Sequence, residues 1–463
     1  MGNQNIPFPF LGGANRTRSA AADAQTTVNL YPEIDPESRG KGVLYGIPGL
    51  TQFADTGTAV CRGAHVMAGV AYFVNGTTLY QVLSNGTAGA LGFIGGTSPV
   101  SMADNGTQML IVNGSQGYVY TTGLGLQTII DADFLPSYTC AYIAGYFIVA
   151  QVGSGTWGVS ALDDAMSWDA INRGVAESSP DGIQAIARFN GEIHILGESS
   201  REVWYNAANP TANPFSPNQG AAIDRGCIAK YSVATDLTAL YWLGDDLVVY
   251  AASQYTPTPI SNNAVNYDIS ITSNPQDAIG FTFQDQGHYF YALTFPSGKT
   301  WVYDITTQLW HRRQSYGIDR WRAVWPCKAY GKWLFGDYQS ALIGEQDYDA
   351  FTEYGDFLRW ERTCAPLTQG NNGIFLDRFE VVMESGTGGP GVNPVVNLEY
   401  STDGGRTFCD PIEANYGAAG EYRWRTFWCG LGYGENFTMR IWSADAYRRN
   451  IVDASISFEV GAP

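Results

Sequence analysis

The chain has 463 residues, of which 45% are hydrophobic, 14% aromatic and only 15% charged. This length and composition exclude an intrinsically disordered chain and leave room for roughly two to four domains with substantial cores. The formal net charge of −18 disfavours general nucleic-acid binding, which depends on basic contacts with phosphates. It is compatible with an acidic channel wall past which a polyanion moves, and equally with an acidic surface that keeps the protein soluble.

Residues 1–57 have no strong hydrophobic period and are repeatedly interrupted by proline and glycine. This pattern predicts an extended arm with short β segments at most. Because such an arm is too polar to form its own core, we expect it to lie across its own following domain or across another subunit. We also expect deletion of residues 1–50 to leave a folded monomer that no longer assembles.

Residues 58–355 repeat one unit seven times: an apolar strand, a tight turn, and a strand that ends near an aromatic residue. The copies start about 38 to 55 residues apart, a spacing typical of four-stranded propeller blades. Five Asn-Gly pairs, including Asn190-Gly191, supply the turns of early hairpins. The sequence therefore predicts an all-β fold with a β-propeller of six to seven irregular blades. The seven copies are Val70–Val82, Gln108–Thr121, Tyr146–Leu162, Gly191–Asn206, Asp246–Ser261, His288–Ile305 and Lys332–Gln346.

Residues 356–463 follow a different cadence, with fewer regular repeats and more glycine-rich turns. Leu376–Ser385 alternates apolar and polar residues, which is typical of a half-buried strand. Further strands are expected at Val395–Tyr400, Phe427–Trp428, Phe437–Trp442 and Ala454–Val460. We interpret this region as a C-terminal β-sandwich domain.

One short motif in the sandwich matches the S-x-D-x-G-x-T-[WF] pattern called an Asp box. It comprises Ser401, Asp403, Gly405 and Phe408. The serine and aspartate oxygens are expected to accept backbone N–H groups at a hairpin tip, with glycine at positive φ and the aromatic ring as an anchor. We therefore predict a structural turn; the same motif also occurs in sialidases.

No constellation of residues points to catalysis, a metal or a cofactor. The four histidines are not paired at metal-binding spacing, and no phosphate-binding or nucleophile motif is present. The carboxylate pairs at Asp131/Asp133, Asp163/Asp164 and Asp245/Asp246 are interpreted as turn residues. Seven scattered cysteines without a C-x-x-C motif favour reduced, buried thiols, and no secretory signal or transmembrane run is evident.

Arginine and aromatic residues are interleaved in several short segments. Tryptophan and arginine often anchor protein–protein contacts, which makes these segments candidates for subunit or partner interfaces. Stacking within the chain is the alternative interpretation. The candidates are Arg312, Arg313, Arg320, Trp321, Arg322, Arg359, Trp360, Arg423, Trp424 and Arg425, joined by Asn29, Leu30 and Tyr31 of the arm.

Short segments of the arm and of the middle of the chain carry a family resemblance. Val28–Glu33 (VNLYPE) and Gly46–Leu50 (GIPGL) belong to the arm, while Ser179–Ile183 (SPDGI) and Glu202–Tyr205 (EVWY) lie in the repeats. In combination they resemble the packaged-DNA stabilisation protein, or tail hub (nozzle) protein, of short-tailed double-stranded DNA phages. The order of arm, blades and small C-terminal β domain agrees with that family along nearly the whole chain.

The resemblance implies a structural, non-enzymatic virion protein of the phage tail that assembles in the host cytoplasm. It implies a homohexameric ring below the portal and its adaptor protein, which extends and closes the DNA channel. The implied partners are the adaptor, the tail needle, the tailspike or fibre proteins, and packaged double-stranded DNA bound without sequence specificity. No cofactor, metal or membrane span is implied, and the family has no catalytic residues to transfer.

Two other interpretations remain open. The Asp box and the many aromatic residues also fit a sialidase-like or glycan-binding propeller, which would need several Asp boxes and an arginine triad. A receptor-binding adhesin would usually show the short period of a trimeric β-helix fibre, and the sequence shows none.

Overall fold

The computed structural model describes residues 6–37, 41–57, 59–176, 179–209, 212–370, 372–388 and 392–461. The chain forms a propeller and a sandwich, and the N-terminal arm contributes strands to both. The arm contains β1 (Ile6–Pro7), β2 (Thr26–Val28), β3 (Leu30–Ile34), β4 (Gly42–Gly46) and β5 (Gly49–Asp55).

The first four blades are antiparallel meanders of four strands each. Blade 1 contains β6 (Cys61–Met67), β7 (Val70–Asn75), β8 (Thr78–Val82) and β9 (Ala88–Phe93). Blade 2 contains β10 (Ser101–Asp104), β11 (Gln108–Val112), β12 (Gly117–Thr121) and β13 (Gly125–Thr128). Blade 3 contains β14 (Cys140–Ile143), β15 (Tyr146–Ala150), β16 (Thr156–Ala161) and β17 (Asp164–Val175). Blade 4 contains β18 (Ile183–Phe189), β19 (Glu192–Gly197), β20 (Arg201–Asn206) and β21 (Phe215–Pro217).

Three further blades complete the ring, with one helix between the fifth and sixth. Blade 5 contains β22 (Ala234–Thr235), β23 (Leu240–Leu243), β24 (Val249–Ala252) and β25 (Thr258–Pro259). After it come α1 (Asn263–Ile271) and a 3₁₀ turn (Pro275–Asp277). Blade 6 contains β26 (Ile279–Asp285), β27 (His288–Thr294), β28 (Thr300–Asp304) and β29 (Leu309–Arg313). Blade 7 contains β30 (Ala323–Ala329), β31 (Lys332–Asp337) and β32 (Leu342–Asp347).

Local sequence explains why the blades form. Asn190 and Gly191 both have positive φ, 49° and 77°, as a two-residue hairpin between β18 and β19 requires. Between blades, apolar side chains on facing sheets pack together, as Leu79 of blade 1 does with Met109 and Ile111 of blade 2. Each such fully buried side chain stabilises the fold by about 1.5–3 kcal/mol relative to exposure.

The seventh blade is completed by the arm and not by the repeats. Strand β5 pairs antiparallel with β32, from Leu342 opposite Asp55 to Asp347 opposite Gly49. The ring is therefore closed by a strand from the N-terminal side of blade 1. This pairing joins distant parts of the chain. It also covers the edge of β32, which would otherwise be unpaired.

The sandwich begins after two short strands, β33 (Thr352–Glu353) and β34 (Asp356–Phe357), that extend blade 7. Its own strands are β35 (Trp360–Thr363), β36 (Leu367–Thr368), β37 (Ile374–Met383), β38 (Val395–Ser401), β39 (Ile412–Asn415), β40 (Thr426–Gly434), β41 (Asn436–Ser443) and β42 (Ile451–Val460). One sheet runs β3-β4-β42-β37-β40 with β1 also on β42, so three arm strands lie in it. Phe8, Phe10, Leu30 and Leu44 of the arm are buried in the sandwich core.

The predicted fold class is confirmed, and the propeller has seven blades. The arm lies across its own chain, which was one of the two expected positions. Its strands contribute to both domains, so from the structure we expect a chain lacking residues 1–50 to lose the folded sandwich, contrary to our expectation from the sequence. All seven cysteines are free thiols, five of them buried, while Cys409 is half-buried and Cys429 exposed.

Candidate assembly interface

Strand β2 of the arm joins the two domains into one sheet. Val28 pairs with Arg312 of blade 6 in parallel, and Thr27 pairs with Arg362 of β35 in antiparallel register. The resulting sheet has ten strands and runs from β26 through β2 to β39. Backbone hydrogen bonds therefore continue from the propeller into the sandwich without a flexible linker between them.

Asn29, the first of the predicted interface residues, lies buried at this joint. Its side-chain Nδ2 donates to the carbonyl oxygens of Gln314 at 2.8 Å and Arg359 at 2.7 Å. Its backbone has φ of 55°, a left-handed conformation that asparagine tolerates better than most residues. Asn29 thus fastens the arm to blade 6 and to the start of the sandwich.

Leu30 and Tyr31 are also enclosed by their own chain. Leu30 belongs to the sandwich core, whereas Tyr31 points to the propeller, with ring centroids 5.0 Å from His288 and 5.4 Å from Phe290. Burial, assisted by the charge of Asp285, raises the pKa of Tyr31 far above its ordinary value. In this position neither side chain is available to a second subunit.

The basic residues of blade 6 are mostly buried too. The guanidinium carbon of Arg313 lies 4.7 Å from the ring centroids of both Phe283 and Trp321, and burial lowers the pKa of Arg313 to about 10. Trp321 donates its indole N–H to Glu353 at 2.8 Å. Arg312 is only half-buried and lines a groove of about 390 Å³ between blade 6 and the sandwich. Only Arg312 of these residues reaches a surface.

Arg320, Arg322 and Trp360 have intramolecular partners as well. Arg320 stacks 3.7 Å above the ring of Tyr338, and Arg322 forms an ion pair of 2.6 Å with buried Asp337. Trp360 is part of the sandwich core. For these residues the structure supports the alternative we left open, stacking within the chain.

Four predicted interface residues remain exposed: Arg359, Arg423, Trp424 and Arg425. Arg359 stacks 4.2 Å above the ring of Trp442. Trp424 donates its indole N–H to the carbonyl of Asn415 at 2.7 Å, yet 41% of its surface is exposed. Arg425 binds Glu380 through two hydrogen bonds of 2.7 Å. Arg359, Trp424 and Arg425 are thus preorganised by their own chain and still open to a partner.

Sequence reasoning did not identify an exposed aromatic surface that lies beside these residues on β40 and β37. Strand β40 is the edge of its sheet, and its outward positions carry Phe427 and Tyr433, next to Phe375 of β37. All three rings are roughly half exposed, and those of Phe375 and Tyr433 lie 4.7 Å apart. We call these three residues, with Arg423, Trp424 and Arg425, the β40 face. Phe427 and Tyr433 were visible in the sequence of Thr426–Gly434, but a register shift in the pairing of β37 with β40 breaks the alternation that would have placed both on the outward side.

The Asp box folds as a tight turn. Ser401 Oγ accepts the amide N–H of Gly405 at 2.9 Å, and Asp403 Oδ1 accepts those of Arg406 and Thr407 at 2.9 and 3.0 Å. Hydrogen bonds from Ser401 and Thr407 hold the pKa of Asp403 well below its usual range. Gly405 has φ of 82°, and Phe408 lies 3.6 Å below the guanidinium of Arg440. The side-chain oxygens of Ser401 and Asp403 thus hold the turn.

The carboxylate pairs noted in the sequence form hydrogen bonds or ion pairs with nearby groups. Asp131 Oδ1 accepts the amide N–H of Asp133 at 2.9 Å. Asp245 and Asp246 share Arg225, at 3.1 Å each, a cation that sequence reasoning had not placed there. Within the described residues no cluster of His, Cys, Asp and Glu could hold a metal ion, and no helix is long and apolar enough to cross a bilayer.

The axis of the propeller is closed at one end. Tyr231, just before blade 5, donates its hydroxyl to the carbonyl of Pro99, just before blade 2, at 3.2 Å. The ring of Trp325 stands at 90° to that of Tyr231, with centroids 6.2 Å apart. Trp325 has φ of 49° at an irregularity in the register of β30. These side chains block passage along the propeller's own axis.

Comparison with known proteins agrees with this architecture. The family model of the bacteriophage P22 Gp10 β-propeller matches residues 4–350, and that of the bacteriophage P22 Gp10 β-sandwich matches residues 359–459. No curated protein matches the chain.

Two solved structures are distantly similar. The computationally designed Ika8 protein is 11% identical with a TM-score of 0.40, over 72% of this chain and 100% of that one. BamB from Moraxella catarrhalis is 12% identical with a TM-score of 0.35, over 64% of this chain and 93% of that one. Neither likeness bears on function, whereas the two family models together cover both domains. The chain therefore belongs to the bacteriophage P22 Gp10 family and is a structural tail protein of the phage virion.

Proposed function

We propose that this protein is one subunit of a homohexameric ring in the tail hub, below the portal and its adaptor. The ring prolongs the DNA channel, closes it after packaging, and carries the tail needle and the tailspikes. The finding that carries the proposal is the ten-stranded sheet that runs from blade 6 through the arm to the sandwich. A ring that must retain DNA needs subunits that do not bend between domains, and this sheet supplies that stiffness.

The DNA path in this proposal lies between subunits and not through any one propeller. Tyr231 and Trp325 close the propeller axis. Acidic subunits arranged around a common axis would form a channel wall. This wall repels the phosphate backbone and so allows DNA to slide along the channel. The net charge of −18 supports such a wall.

The β40 face is our candidate for contact between neighbouring subunits. It combines exposed aromatic rings with Arg425, oriented by Glu380, and Trp424, whose indole is held by the carbonyl of Asn415. Preorganised aromatic and arginine side chains bind at a low entropic cost, because fewer rotamers are lost on association. The edge position of β40 also offers unpaired backbone groups to a neighbouring strand.

Electron microscopy of the purified chain, alone and mixed with the adaptor protein, tests the proposal. We expect six-fold rings attached to the adaptor, and their loss in the double variant Trp424→Ala/Phe427→Ala. Phe93→Ala, which removes an exposed ring on blade 1, is the matched control and should still form rings. Monomers under every condition would contradict the proposal. Reproducible binding on a glycan array would favour the glycan-binding alternative.

A further inference from the structure

The propeller encloses a cavity of about 480 Å³ around its axis. The first strands of neighbouring blades touch one another around the ring and form the inner wall. Because each blade repeats the same meander, these strands all run in the same direction along the axis. A cavity of this size is within the range of ligand-binding pockets in proteins.

The cavity is blind. Pro99, Tyr138 and Tyr231 precede the first strands of their blades, so they lie together at one end. The rings of Tyr138 and Tyr231 are 6.4 Å apart, and Trp325 packs against Tyr231 from blade 7. The other end, where the first strands finish, carries the exposed side chain of Arg188.

Two basic side chains line this cavity without an acidic partner. Among the described residues, neither Arg188 at the open end nor Lys230 at the closed end has a carboxylate within ion-pair distance. Lys230 Nζ is instead held 4.4 Å from the ring centroid of Tyr138. In a chain of net charge −18, two unpaired cations in one cavity leave its positive charge available to a ligand.

The acidic residue of the wall, Asp104, is directed at groups other than Arg188 and Lys230. Asp104 is bound to His65, with Oδ2 2.6 Å from Nε2, and its Oδ1 accepts the amide N–H of Gly106 at 2.8 Å. Neither oxygen forms an ion pair with Arg188 or Lys230. The rest of the wall mixes hydroxyl groups with apolar side chains such as Val100 and Ile186.

From these observations we propose that the axial cavity binds a ligand that carries carboxylate groups on a partly apolar body. Arg188 and Lys230 would each meet a carboxylate, and the apolar wall would cover the body. Two separate cations suit two single carboxylate groups. A phosphate is less suited, because the residues that line the cavity include neither a helix N-terminus nor a glycine-rich loop of the kind that binds phosphates. The ligand is either a free organic acid or the acidic end of a polypeptide partner. The proposal is independent of ring formation, since the cavity lies within one chain.

Isothermal titration calorimetry on the full-length chain tests the proposal with two probes. Phenylsuccinate represents a free organic acid, and a hexapeptide of alanine and leucine that ends in glutamate represents a polypeptide end. The neutral diamide of phenylsuccinate and the amidated, glutamine-ending peptide are the matched controls. We expect saturable one-to-one binding of at least one acidic probe, and the probe that binds identifies the source of the ligand.

Variants locate the binding. Arg188→Gln and Lys230→Gln should each weaken it about tenfold, the effect of losing one charge-assisted hydrogen bond. Arg188→Lys should restore most of it, and Arg16→Gln, an exposed arginine of the arm, should change nothing. Thermal unfolding checks that each variant is folded; the exposed position of Arg188 makes misfolding of Arg188→Gln a minor concern. Absence of saturable binding, equal binding of the neutral probes, or binding unaffected by both glutamine variants would overturn the proposal.

Discussion

The side chain of Asn29 and the backbone of Gln314 hold each other through reciprocal hydrogen bonds. Asn29 Nδ2 donates to the Gln314 carbonyl at 2.8 Å, and the Gln314 amide donates to Asn29 Oδ1 at 2.9 Å. The two residues are 285 positions apart in the chain. This contact fixes the arm to blade 6 at the point where propeller and sandwich become one sheet.

Replacing Asn29 should loosen that joint. Asn29→Ala removes the side-chain hydrogen bonds, leaves buried backbone groups unpaired and places alanine at positive φ, so we expect a loss of about 3 kcal/mol of unfolding free energy. Asn29→Gly removes the same bonds without the backbone strain and should cost about 1 kcal/mol less. Urea denaturation of both variants measures the difference. Equal stability of the two variants would show that backbone strain plays no part.

Arg362 ties the start of the arm to the sandwich. It is fully buried and donates to the carbonyls of Phe10 and Gly13 and to the side chains of Gln25 and Thr27. Arg362→Met leaves these acceptors without a donor, which should cost on the order of 3 kcal/mol.

Limited trypsin digestion reports on this tether, because exposed arginines in the arm loop become cleavable when the arm detaches. We expect faster cleavage at Arg16 and Arg18 in Arg362→Met than in the wild type. Arg359→Met, which removes an exposed arginine three residues away, serves as the control and should resemble the wild type. Identical digestion of all three proteins would mean that Arg362 does not hold the arm.

Truncation separates the two roles of the arm. A chain lacking residues 1–48 keeps β5, so we expect a closed propeller but an unfolded sandwich, since Phe8, Phe10, Leu30 and Leu44 leave its core. Loss of each large core side chain typically costs about 2–5 kcal/mol. A chain lacking residues 1–57 also loses the closing strand of blade 7, and its propeller should open.

Hydrogen exchange followed by mass spectrometry distinguishes these states peptide by peptide. Protection should persist in the blades of the shorter truncation and disappear from the sandwich strands in both. A fully protected sandwich in either truncated chain would contradict the role that the structure gives to the arm strands.

Glu353 should make stability depend on pH. Burial raises the pKa of this carboxyl to about 7, although hydrogen bonds from Ser315 and Trp321 and the charge of Arg322 oppose the shift. The folded state therefore keeps a proton that the unfolded chain releases near its ordinary pKa of 4.5. Between pH 4.5 and 7 the unfolded state binds fewer protons than the folded state, so this group's contribution to stability declines as pH rises and is lost above 7.

Glu353→Gln removes this titration while keeping an acceptor for the Trp321 indole. The stability of the variant relative to the wild type should increase as pH rises. Above neutral pH, the variant's free energy of unfolding should exceed that of the wild type by about 3 kcal/mol. Denaturant midpoints at several pH values measure the difference, and Glu345→Gln, which changes a more exposed carboxylate paired with Lys332, is the control. A difference that stays constant from pH 4.5 to 8 would contradict the assignment.

The sequence by itself determined the blades and the Asp box. Hairpins such as Asn190-Gly191 and the turn at Ser401–Phe408 depend on residues next to each other in the chain, so a local pattern is enough to predict them. The strands of the sandwich were predictable for the same reason, because Leu376–Ser385 alternates at the period of a pleated sheet.

Only the tertiary structure decided what the arm and the arginines do. Short segments such as Thr26–Val28 have weak intrinsic preferences, and their positions follow from backbone groups of blade 6 and β35 that are hundreds of residues away. Arg313 and Arg425 look alike in sequence, yet one is enclosed by Phe283 and Trp321 and the other faces solvent beside Glu380. Burial is a property of long-range packing, and for that reason a cluster of arginine and tryptophan could not by itself separate the interior of one chain from a surface that meets another.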